Sequence, residues 1–432
     1  MPANAPEWSE IAQAMCSVLI LLVPLAAAGL ALMNAGLGSS RSSAHALVSS
    51  ICAVAVATVV YIAFGFSWQG YPGRPAHEIT LASARWNWLG GGPFFLRGLP
   101  LDATRVSLAA WLEVFSVAIA AVIPLGAGNG RWRLGAICAS TALLAGWTYP
   151  LFAHWVWGGG WLAQLAANFG LGHGFLDGGG SAVIQMEGGL TALSIASILG
   201  PRRGKYAGGA PMALPGHSVV LVLFACFLAW LGWIGLNGSG SMLFLGAAPS
   251  ALPQVAVNTT VSAGMSALAA AGVTRLRYGR PDASLCANGW TGGLAASSAA
   301  CAFASPAAAA LTGAIAGALV TLSVELLDVR LGIDDPAGSV SVHAVGGLVG
   351  VLSPGLLARL PGGSSGQWLA QWIGAATLLI VVLPLTYSLN RALNRFYPQR
   401  ISAEDELHGL DLLELGAEAY PEFVTRDDFR LR

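Results

Sequence analysis

The stretch DPAGSVSVHAVGG at residues 335–347 decides the fold, because the chain carries a second version of it, DGGGSAVIQMEGG, at residues 177–189. Superposing the two versions pairs aspartate with aspartate, serine with serine and a Gly-Gly pair with a Gly-Gly pair. At the ninth position the earlier version has Gln185 where the later one has His343. A unit written twice in this way predicts an internal duplication of a larger structural unit.

The composition is that of a membrane protein. Of the 432 residues, 55% are hydrophobic and 10% are charged, and 21 basic residues balance 21 acidic ones. A soluble chain would carry roughly a quarter charged residues, so this chain cannot cover a water-facing surface. Zero net charge provides no basic surface for nucleic acid. The six cysteines lie in apolar stretches without a C-x-x-C pair, so we expect packing residues, and neither a metal site nor a cofactor.

Eleven stretches are long and apolar enough to cross a bilayer, which takes about 20 residues per helix. They cover residues 11–35, 43–68, 105–127, 133–156, 180–200, 214–237, 251–274, 282–303, 305–327, 338–358 and 366–392. No positively charged segment precedes the first stretch, which is therefore expected to be retained as a span. We predict a transmembrane domain at residues 1–392 and a charged tail at residues 393–432.

Positive charges on the loops predict the orientation of these spans, because short cytoplasmic loops carry an excess of Arg and Lys. Ten such residues follow the odd-numbered stretches: Arg41, Arg131, Arg133, Arg202, Arg203, Lys205, Arg275, Arg277, Arg280 and Arg330. The even-numbered loops carry Arg74, Arg85, Arg97 and Arg359, and Arg105 stands at a helix edge. The N-terminus is therefore expected outside, and the tail in the cytoplasm.

The two versions of the repeated unit begin the fifth and the tenth spans, which cross the membrane in opposite directions in this topology. Copies of opposite orientation are typical of inverted-repeat transporters, whose site lies near the midplane between the repeats. We therefore predict an all-α polytopic membrane protein with eleven transmembrane helices, as a 5+5 inverted repeat plus one extra helix. The multi-pass chain is expected in the cell membrane, plasma or inner.

Each position of the repeated unit has a physical interpretation. Asp177 and Asp335 stand where the N-cap of a helix is needed, and capping is sufficient to explain them. The polar side chain eight residues later lies about 12 Å further along the helix, well inside the bilayer. The following Gly-Gly pairs share nearly the same face, where small residues let another helix approach. Gln185 and His343 are therefore expected to face packed protein.

Six segments in order resemble motifs of the ammonium transporter (Amt/Mep/Rh) family. They are FAHWVWGGGWLA (152–163), LDGGGSAVIQMEGG (176–189), GWIGLNGSGS (232–241), AVNTTVSAG (256–264), IDDPAGSVSVHAVGGLVG (333–350) and HGLDLLELGAEAYP (408–421). The last segment resembles the cytoplasmic motif of the Amt branch. The resemblance implies a homotrimer in the lipid bilayer with one narrow hydrophobic pore per subunit, an outer ammonium-recruitment site under an aromatic gate, and two facing histidines below.

Carried over by position, the family's recruitment-site tryptophan is Trp157, and the acidic residue behind it is Asp177. The gate phenylalanines correspond to Trp111 and Phe115 if one residue is inserted farther along the third span. The recruitment serine falls on Gly240 in strict register, so Ser239 or Ser241 must replace it, or the contact is missing. The family also implies a PII-class regulatory protein at the cytoplasmic face.

This chain departs from the family pattern at several positions. The family normally has histidine where Gln185 stands, with glutamate in some fungal members, while His343 keeps the second histidine. Leu236 replaces the phenylalanine of the G-W-x-G-F-N-x-G-S motif. In the tail, Leu415 and Ala417 replace the family's histidine and glutamate, which puts the contacts with a PII-class protein in doubt.

The chemistry of the site limits what it can do. A bare cation at the bilayer centre costs several kcal/mol or more, and a cation–π contact with Trp157 offsets about 0.5 to 2 kcal/mol. The alternative for Trp157 is an interfacial anchor. Gln185 can donate and accept hydrogen bonds but cannot take up a proton, so an imidazole-to-imidazole relay is broken. A lone His343 could also be a satisfied core residue.

Three glutamates need separate interpretations. Glu187 lies about 200° round the helix from Gln185, so it is either a structural polar contact or part of a substitute proton path. Glu113 beside the expected gate is open to the same two interpretations. Glu325 lies near a helix end, where solvation explains it.

The sequence therefore supports an ammonium/ammonia transporter that is not an enzyme. Two alternative functions are also considered. The first alternative is an ammonium sensor with weak or no transport, since the pore pair and the tail motif are both altered. The second is an intramembrane protease built from Ser239 or Ser241 with His343. Eleven spans and an inverted repeat argue against the protease.

Overall fold

The computed structural model describes residues 8–81, 83–360 and 365–421. Its helices in chain order are α1 (Glu10–Leu37), α2 (Ser40–Gln69), α3 (Arg105–Gly128), α4 (Leu134–Val156), α5 (Ser181–Leu199), α6 (Val219–Phe244), α7 (Pro249–Tyr278), α8 (Ala283–Ser297), α9 (Pro306–Arg330), α10 (Val340–Leu356) and α11 (Gln367–Phe396). In this described part, all but α8 and α10 meet the length and hydropathy expected of a membrane span, nine in all. The chain is therefore an all-helical polytopic membrane protein.

Helices α8 and α10 are the short members of the bundle. They coincide with the eighth and tenth stretches expected from the sequence. With 15 residues, α8 rises only about 22 Å along its axis. A Cβ atom at Gly293 would lie 2.6 Å from the main-chain oxygen of Ser262, so α8 packs main chain to main chain on α7. Small residues at the contact allow this close approach inside a membrane protein.

The segment between α2 and α3, expected as one long loop, contains a β-hairpin. Strand β1 (Ala76–Leu81) pairs antiparallel with β2 (Ala84–Gly90). The indole of Trp155, in the last turn of α4, donates to the main-chain oxygen of Trp88 at 3.0 Å. The main chain of Asn87 donates to Gln164, just before the short helix Leu165–Phe169. The hairpin therefore covers the end of α4, and we call this side of the bundle the Trp157 end.

Three helices contain a π-helical turn that bears on the site. The turn Ser181–Met186 opens α5, Val340–Val345 opens α10, and Leu144–Thr148 lies in α4. The first two occupy equivalent positions of the repeated unit to within one residue, and they carry Gln185 and His343. A π-helical turn widens a helix locally and is frequent at functional sites.

The segment after α11 crosses the opposite side of the bundle, which we call the tail end. Helix α11 continues to Phe396, three residues beyond the expected start of the tail. A short helix Asp405–His408 and a π turn Asp411–Leu415 follow. The Asp411 carboxylate accepts from the main-chain nitrogens of Ala44 at 3.1 Å and His45 at 2.7 Å, so it caps α2. Residues 422–432 of the expected tail lie outside the described residues.

Candidate functional site

The repeated unit brings its two polar side chains together in the interior. Oε1 of Gln185 lies 2.7 Å from Nδ1 of His343. Gln185 is 0% exposed and His343 is 4% exposed. The expectation that both groups point into packed protein is therefore confirmed, and they are in direct contact.

Glycines set the distance between the two helices that carry this pair. A Cβ atom at Gly189 of α5 would collide with the main chain of Ala344 in α10. A Cβ atom at Gly347 of α10 would lie 3.1 Å from the main-chain nitrogen of Met186 in α5. Gly189 and Gly347 are equivalent positions of the repeat, as are Met186 and Ala344. The contact is therefore reciprocal, as a local two-fold relation between the helices requires.

The two aspartates of the repeat cap their helices. Oδ2 of Asp177 accepts from the main-chain nitrogens of Ala182 and Val183, both at 2.9 Å. Oδ2 of Asp335 accepts from the main-chain nitrogen of Val340 at 2.7 Å. In each carboxylate the second oxygen has no hydrogen-bond partner among the described residues. Capping therefore uses one oxygen of each carboxylate and leaves the other oxygen for another ligand.

Trp157 lies directly beside Asp177. Its indole nitrogen donates to the main-chain oxygen of Asp177 at 2.6 Å. Its ring stacks on Phe244, with centroids 4.3 Å apart and planes 6° apart. Phe244 therefore covers one face of Trp157, and only the other face is open to a cation. Sequence reasoning missed Phe244 because it lies eight residues beyond Leu236, outside the motif that was aligned.

A cavity of about 330 Å³ opens at the Trp157 end. Its aromatic lining consists of Tyr71, Trp157, His173, Phe175, Phe244 and Phe303. A second cavity, of about 150 Å³, lies at the tail end and is lined by Asp335 and Ser341 among others. Gln185 follows Asp177, which lies beside Trp157 at one end, and His343 follows Ser341, which lines the cavity at the other end. The Gln185 and His343 pair therefore lies between the two cavities.

The expected gate residues lie elsewhere. The rings of Trp111 and Phe115 are 6.2 Å apart, and Phe115 lines an apolar groove with residues of α1 and α2 such as Pro24 and Leu47. Neither residue lines the cavity beside Trp157. The inward position on this part of α3 belongs to Glu113, which is 1% exposed. Residues two apart on a helix point in nearly opposite directions, so Phe115 faces away from the interior that Glu113 faces.

The two serines considered for recruitment have other partners. Ser239 donates to the main-chain oxygen of Gly235 at 2.7 Å, and the Ser241 hydroxyl lies 3.5 Å from the Cys301 sulfur. A Cβ atom at Gly240 would collide with the main-chain oxygen of Gly178, so a serine does not fit in register. His343 is bonded to Gln185. Neither Ser239 nor Ser241 contacts His343 in the described part of the chain, so the pairing that a protease would need from these residues is not formed.

The buried glutamates differ in their surroundings. Glu187 is 0% exposed, and neither of its carboxylate oxygens has a hydrogen-bond partner among the described residues. It faces Thr148 of α4 and not His343, in agreement with its expected angle from Gln185. Glu325 forms an ion pair with Arg277 at 2.6 Å, and its side chain is 34% exposed, which fits the solvated interpretation.

The tail end contains contacts that the sequence did not indicate. Oε2 of Glu414 lies 2.7 Å from Nε2 of His45 and accepts from the main-chain nitrogen of Leu134 at 2.9 Å. Two positions depart from the family motif: Leu415, which is half-buried, and Ala417, which is exposed. Asp411 and Glu414 therefore contribute side-chain contacts that dock this segment on α2 and α4.

An all-helical polytopic fold with a buried polar pair between two cavities defines a membrane protein of the transporter or channel class. The sequence model of the Ammonium Transporter Family matches residues 14–420, and the chain belongs to that family.

Named relatives and solved structures agree with this assignment. The chain is 31% identical to the ammonium transporter Amt2 of Archaeoglobus fulgidus over 96% of this chain and 88% of the relative. It is 28% identical to an ammonium transporter of Bacillus subtilis, over 93% and 96% of the two chains. A solved structure named Sensor Amt Protein superposes with a TM-score of 0.84 at 25% identity, covering 94% of this chain and 98% of that one. Mep2 of Candida albicans superposes at 0.78 with 22% identity over 97% and 92% of the chains, and shares the fold.

Proposed function

We propose that this chain transports ammonium across the membrane along a passage lined by the Gln185 and His343 side chains. The contact at 2.7 Å between these buried groups, between the two cavities, carries the proposal. Trp157 and the free oxygen of Asp177 recruit the ion at one end. We leave Trp111, Phe115, Ser239 and Ser241 outside this site because their contacts lie elsewhere.

The proposed topology has eleven crossings, with the N-terminus outside and the C-terminus in the cytoplasm. Helices α1 to α5 form one repeat, α6 to α10 the inverted second repeat, and α11 is extra. The reciprocal contacts of Gly189 and Gly347 support this arrangement, and so do the matching π turns of α5 and α10. The Trp157 end then faces outward, where the hairpin covers it.

The Gln185 and His343 side chains suit a transported molecule that is neutral or forms hydrogen bonds. With the amide oxygen facing Nδ1, that nitrogen carries the imidazole proton, and Nε2 keeps a lone pair. That lone pair accepts a hydrogen bond from ammonium or ammonia. The Gln185 amide nitrogen has no partner among the described residues and donates to ammonia. The pair therefore offers ammonia both an acceptor, Nε2 of His343, and a donor, the Gln185 amide nitrogen.

Uptake of labelled methylammonium into proteoliposomes tests this function. Vesicles containing the purified chain are expected to take up the label faster than empty vesicles, and unlabelled ammonium is expected to compete. Uptake equal to that of empty vesicles, with ammonium binding retained in calorimetry, would exclude transport.

A second function, ammonium sensing, has its own support. The solved structure at TM-score 0.84 is named a sensor, and the stack of Phe244 on Trp157 leaves one face of Trp157 covered. Under this function the chain binds ammonium and signals through the segment that docks at α2 and α4. The uptake experiment separates the two functions, since a sensor binds ammonium without comparable flux.

The family resemblance motivates proposals for assembly, partner and location. We infer a homotrimer in the plasma or inner membrane, and a PII-class protein as a candidate regulator at the cytoplasmic face. Chemical cross-linking in membranes should give a limiting band of three subunits. Pull-down with a PII-class protein tests the regulator, and Leu415 and Ala417 predict weak binding there.

A further inference from the structure

Five aromatic side chains form a connected patch on the surface of α2 and α4, which we call the aromatic patch. Its members are Phe64, Trp68, Phe94, Phe95 and Trp147. Between ring centroids, Phe64 lies 5.7 Å from Phe94 and 6.1 Å from Phe95. Trp68 lies 5.7 Å from Phe94 and 6.0 Å from Trp147. Phe95 is nevertheless 60% exposed and Trp147 47% exposed, so the patch is an open apolar surface.

The patch continues a lipid-facing stripe of α2. Ile51, Ala55 and Val59 are exposed at intervals of four residues, as one face of an α-helix requires. The next exposed residue on this face is Phe64, five residues on, because the π-helical turn Tyr61–Gly65 has a spacing of five. Helix α2 has the length and hydropathy of a membrane span, so its exposed apolar stripe faces lipid. The aromatic patch is therefore the end of a lipid-facing surface.

Trp147 places the patch beside the bundle and not over its end. It stands nine residues before Val156, the last residue of α4, which is about 14 Å along the helix axis. Its ring contacts that of Trp68, near the end of α2. The end of α4, where the hairpin and Trp157 lie, therefore extends beyond the level of the patch.

Two of the five rings come from a connecting segment and not from a helix. This segment, residues 91–101, reads GGPFFLRGLPL, and Arg97 is its only charged residue. Leu101 is 85% exposed, in addition to the exposed rings of Phe94 and Phe95. Contiguous exposed apolar surface of this kind marks a contact with a membrane or a partner, since soluble surfaces rarely carry it. The composition therefore favours a segment that contacts something other than water.

The backbone turns both rings of this segment toward α2. Phe95 has φ of 58° and Leu96 has φ of 52°, in the left-handed region that bulky residues rarely adopt. Neighbouring side chains of an extended chain would point to opposite faces. The left-handed turn instead lets Phe94 and Phe95 both contact Phe64. Such a conformation persists only where its surroundings stabilise it, so contacts of the two rings must offset the strain.

The segment is tied to the wall of the cavity at the Trp157 end. The main-chain nitrogen of Gly92 donates to the oxygen of Ser67 at 3.3 Å, and that of Gly91 donates to the oxygen of Pro75 at 2.9 Å. Between these two acceptors the chain carries Tyr71 and Pro72, which line the cavity. Whatever holds residues 91–101 therefore also holds this part of the cavity wall.

We propose that residues 91–101 are a membrane anchor, with Phe94 and Phe95 inserted at the headgroup boundary of the lipid leaflet at the Trp157 end. Aromatic side chains are enriched at this boundary. The occupant of the patch is lipid, because the patch is continuous with the lipid-facing stripe of α2 and its most exposed ring projects from a loop. The anchor holds Tyr71 and Pro72 in place relative to the leaflet. It does not depend on which side of the membrane this end faces, or on transport.

The parent chain itself provides the first test. It is reconstituted in liposomes that contain a phosphatidylcholine with a diazirine on an acyl chain, and after irradiation the labelled residues are located by mass spectrometry. Residues 91–101 are expected to be labelled, as are residues 51–59 of the α2 stripe. Residues 402–408, an exposed and charged segment at the tail end, are the unlabelled control. Label on residues 51–59 without label on residues 91–101 overturns the anchor, because the segment then faces water or a second copy of the chain.

A substitution tests whether the Phe95 ring is what holds the segment. In liposomes, Phe95→Ser is expected to speed hydrogen exchange of the amides of residues 94–101 by about tenfold, because a ring that leaves lipid loses its burial. Phe95→Trp keeps a ring and should keep the parent rate. Ile79→Ser is the matched control, since Ile79 is 54% exposed on β1 and lies outside the patch. Equal exchange in Phe95→Ser and the parent chain overturns anchoring by this ring. If gel filtration shows that Phe95→Ser does not fold, the lipid label on the parent chain decides alone.

Discussion

Trp157 and Phe244 stack face to face with ring centroids 4.3 Å apart. This spacing leaves no room for an ion between the rings, so a cation can approach Trp157 only on its other face. The indole nitrogen is fixed by the main-chain oxygen of Asp177. The stack and this hydrogen bond therefore hold the tryptophan in one orientation.

Replacing Trp157 tests this recruitment site. Trp157→Leu removes a cation–π contact worth about 0.5 to 2 kcal/mol, so half-saturation of methylammonium uptake should rise by about 2- to 30-fold. The measurement is initial uptake against concentration. Trp147→Leu is the control, because Trp147 is 47% exposed and its ring contacts Trp68. Equal half-saturation in the parent chain and Trp157→Leu would contradict recruitment by this ring.

Removing the imidazole of the pair should affect both stability and flux. His343→Ala leaves the buried Gln185 oxygen without its partner, which costs about 1 to 3 kcal/mol of folding free energy. Uptake should fall strongly, because the passage loses its imidazole acceptor. Thermal melting and uptake are measured on the same preparation. Full uptake in a folded His343→Ala protein would remove the pair from the mechanism.

Restoring a second imidazole is the reverse experiment. Gln185→His provides two facing rings that can exchange a proton, since histidine titrates near neutrality. The dependence of ammonium-driven current on an imposed proton gradient is therefore expected to change, while the label is still transported. An identical gradient dependence in both proteins would show that the residue at this position does not affect proton movement.

Much of the fold could be predicted from apolar length, because each of the eleven stretches became a helix at nearly the expected position. The polar pair could also be predicted, since the repeat fixes which positions are equivalent. Phe244 and the outward direction of Phe115 could not, because they depend on how α3 and α6 rotate in the packed bundle. The capping of α2 by Asp411 joins residues 366 positions apart, which no local pattern encodes.

The reciprocal glycine contacts predict that a glycine-to-alanine substitution destabilises the protein at Gly189 and Gly347 but not at Gly264. Gly189→Ala and Gly347→Ala each place a methyl group against the main chain of the facing helix, and overpacking costs about 1 to 3 kcal/mol. Thermal melting in detergent should register both losses. Gly264→Ala is the control, because a Cβ atom there meets nothing within 4 Å. Equal melting temperatures for all three variants would show that α5 and α10 do not cross at these residues.

The docked segment at the tail end should respond to acid through Glu414. Burial of the Glu414 carboxyl raises its pKa. Hydrogen bonds from His45 and from the main chain of Leu134 together lower the pKa by more than burial raises it, so the net shift of the pKa is downward. A carboxyl with a lowered pKa in the folded state stabilises docking above its unfolded value of about 4.3. That contribution is lost as the pH falls through the lower, folded value.

Glu414→Gln imitates this loss at neutral pH. Hydrogen exchange of residues 407–415 and of the first turns of α2 and α4 is expected to be faster in Glu414→Gln than in the parent chain at pH 7. The difference should vanish in acid, once the parent carboxyl is itself protonated. Glu404→Gln is the matched control, because Glu404 is exposed and lies in the same segment. If both substitutions speed exchange equally, Glu414 has no specific role in holding the segment.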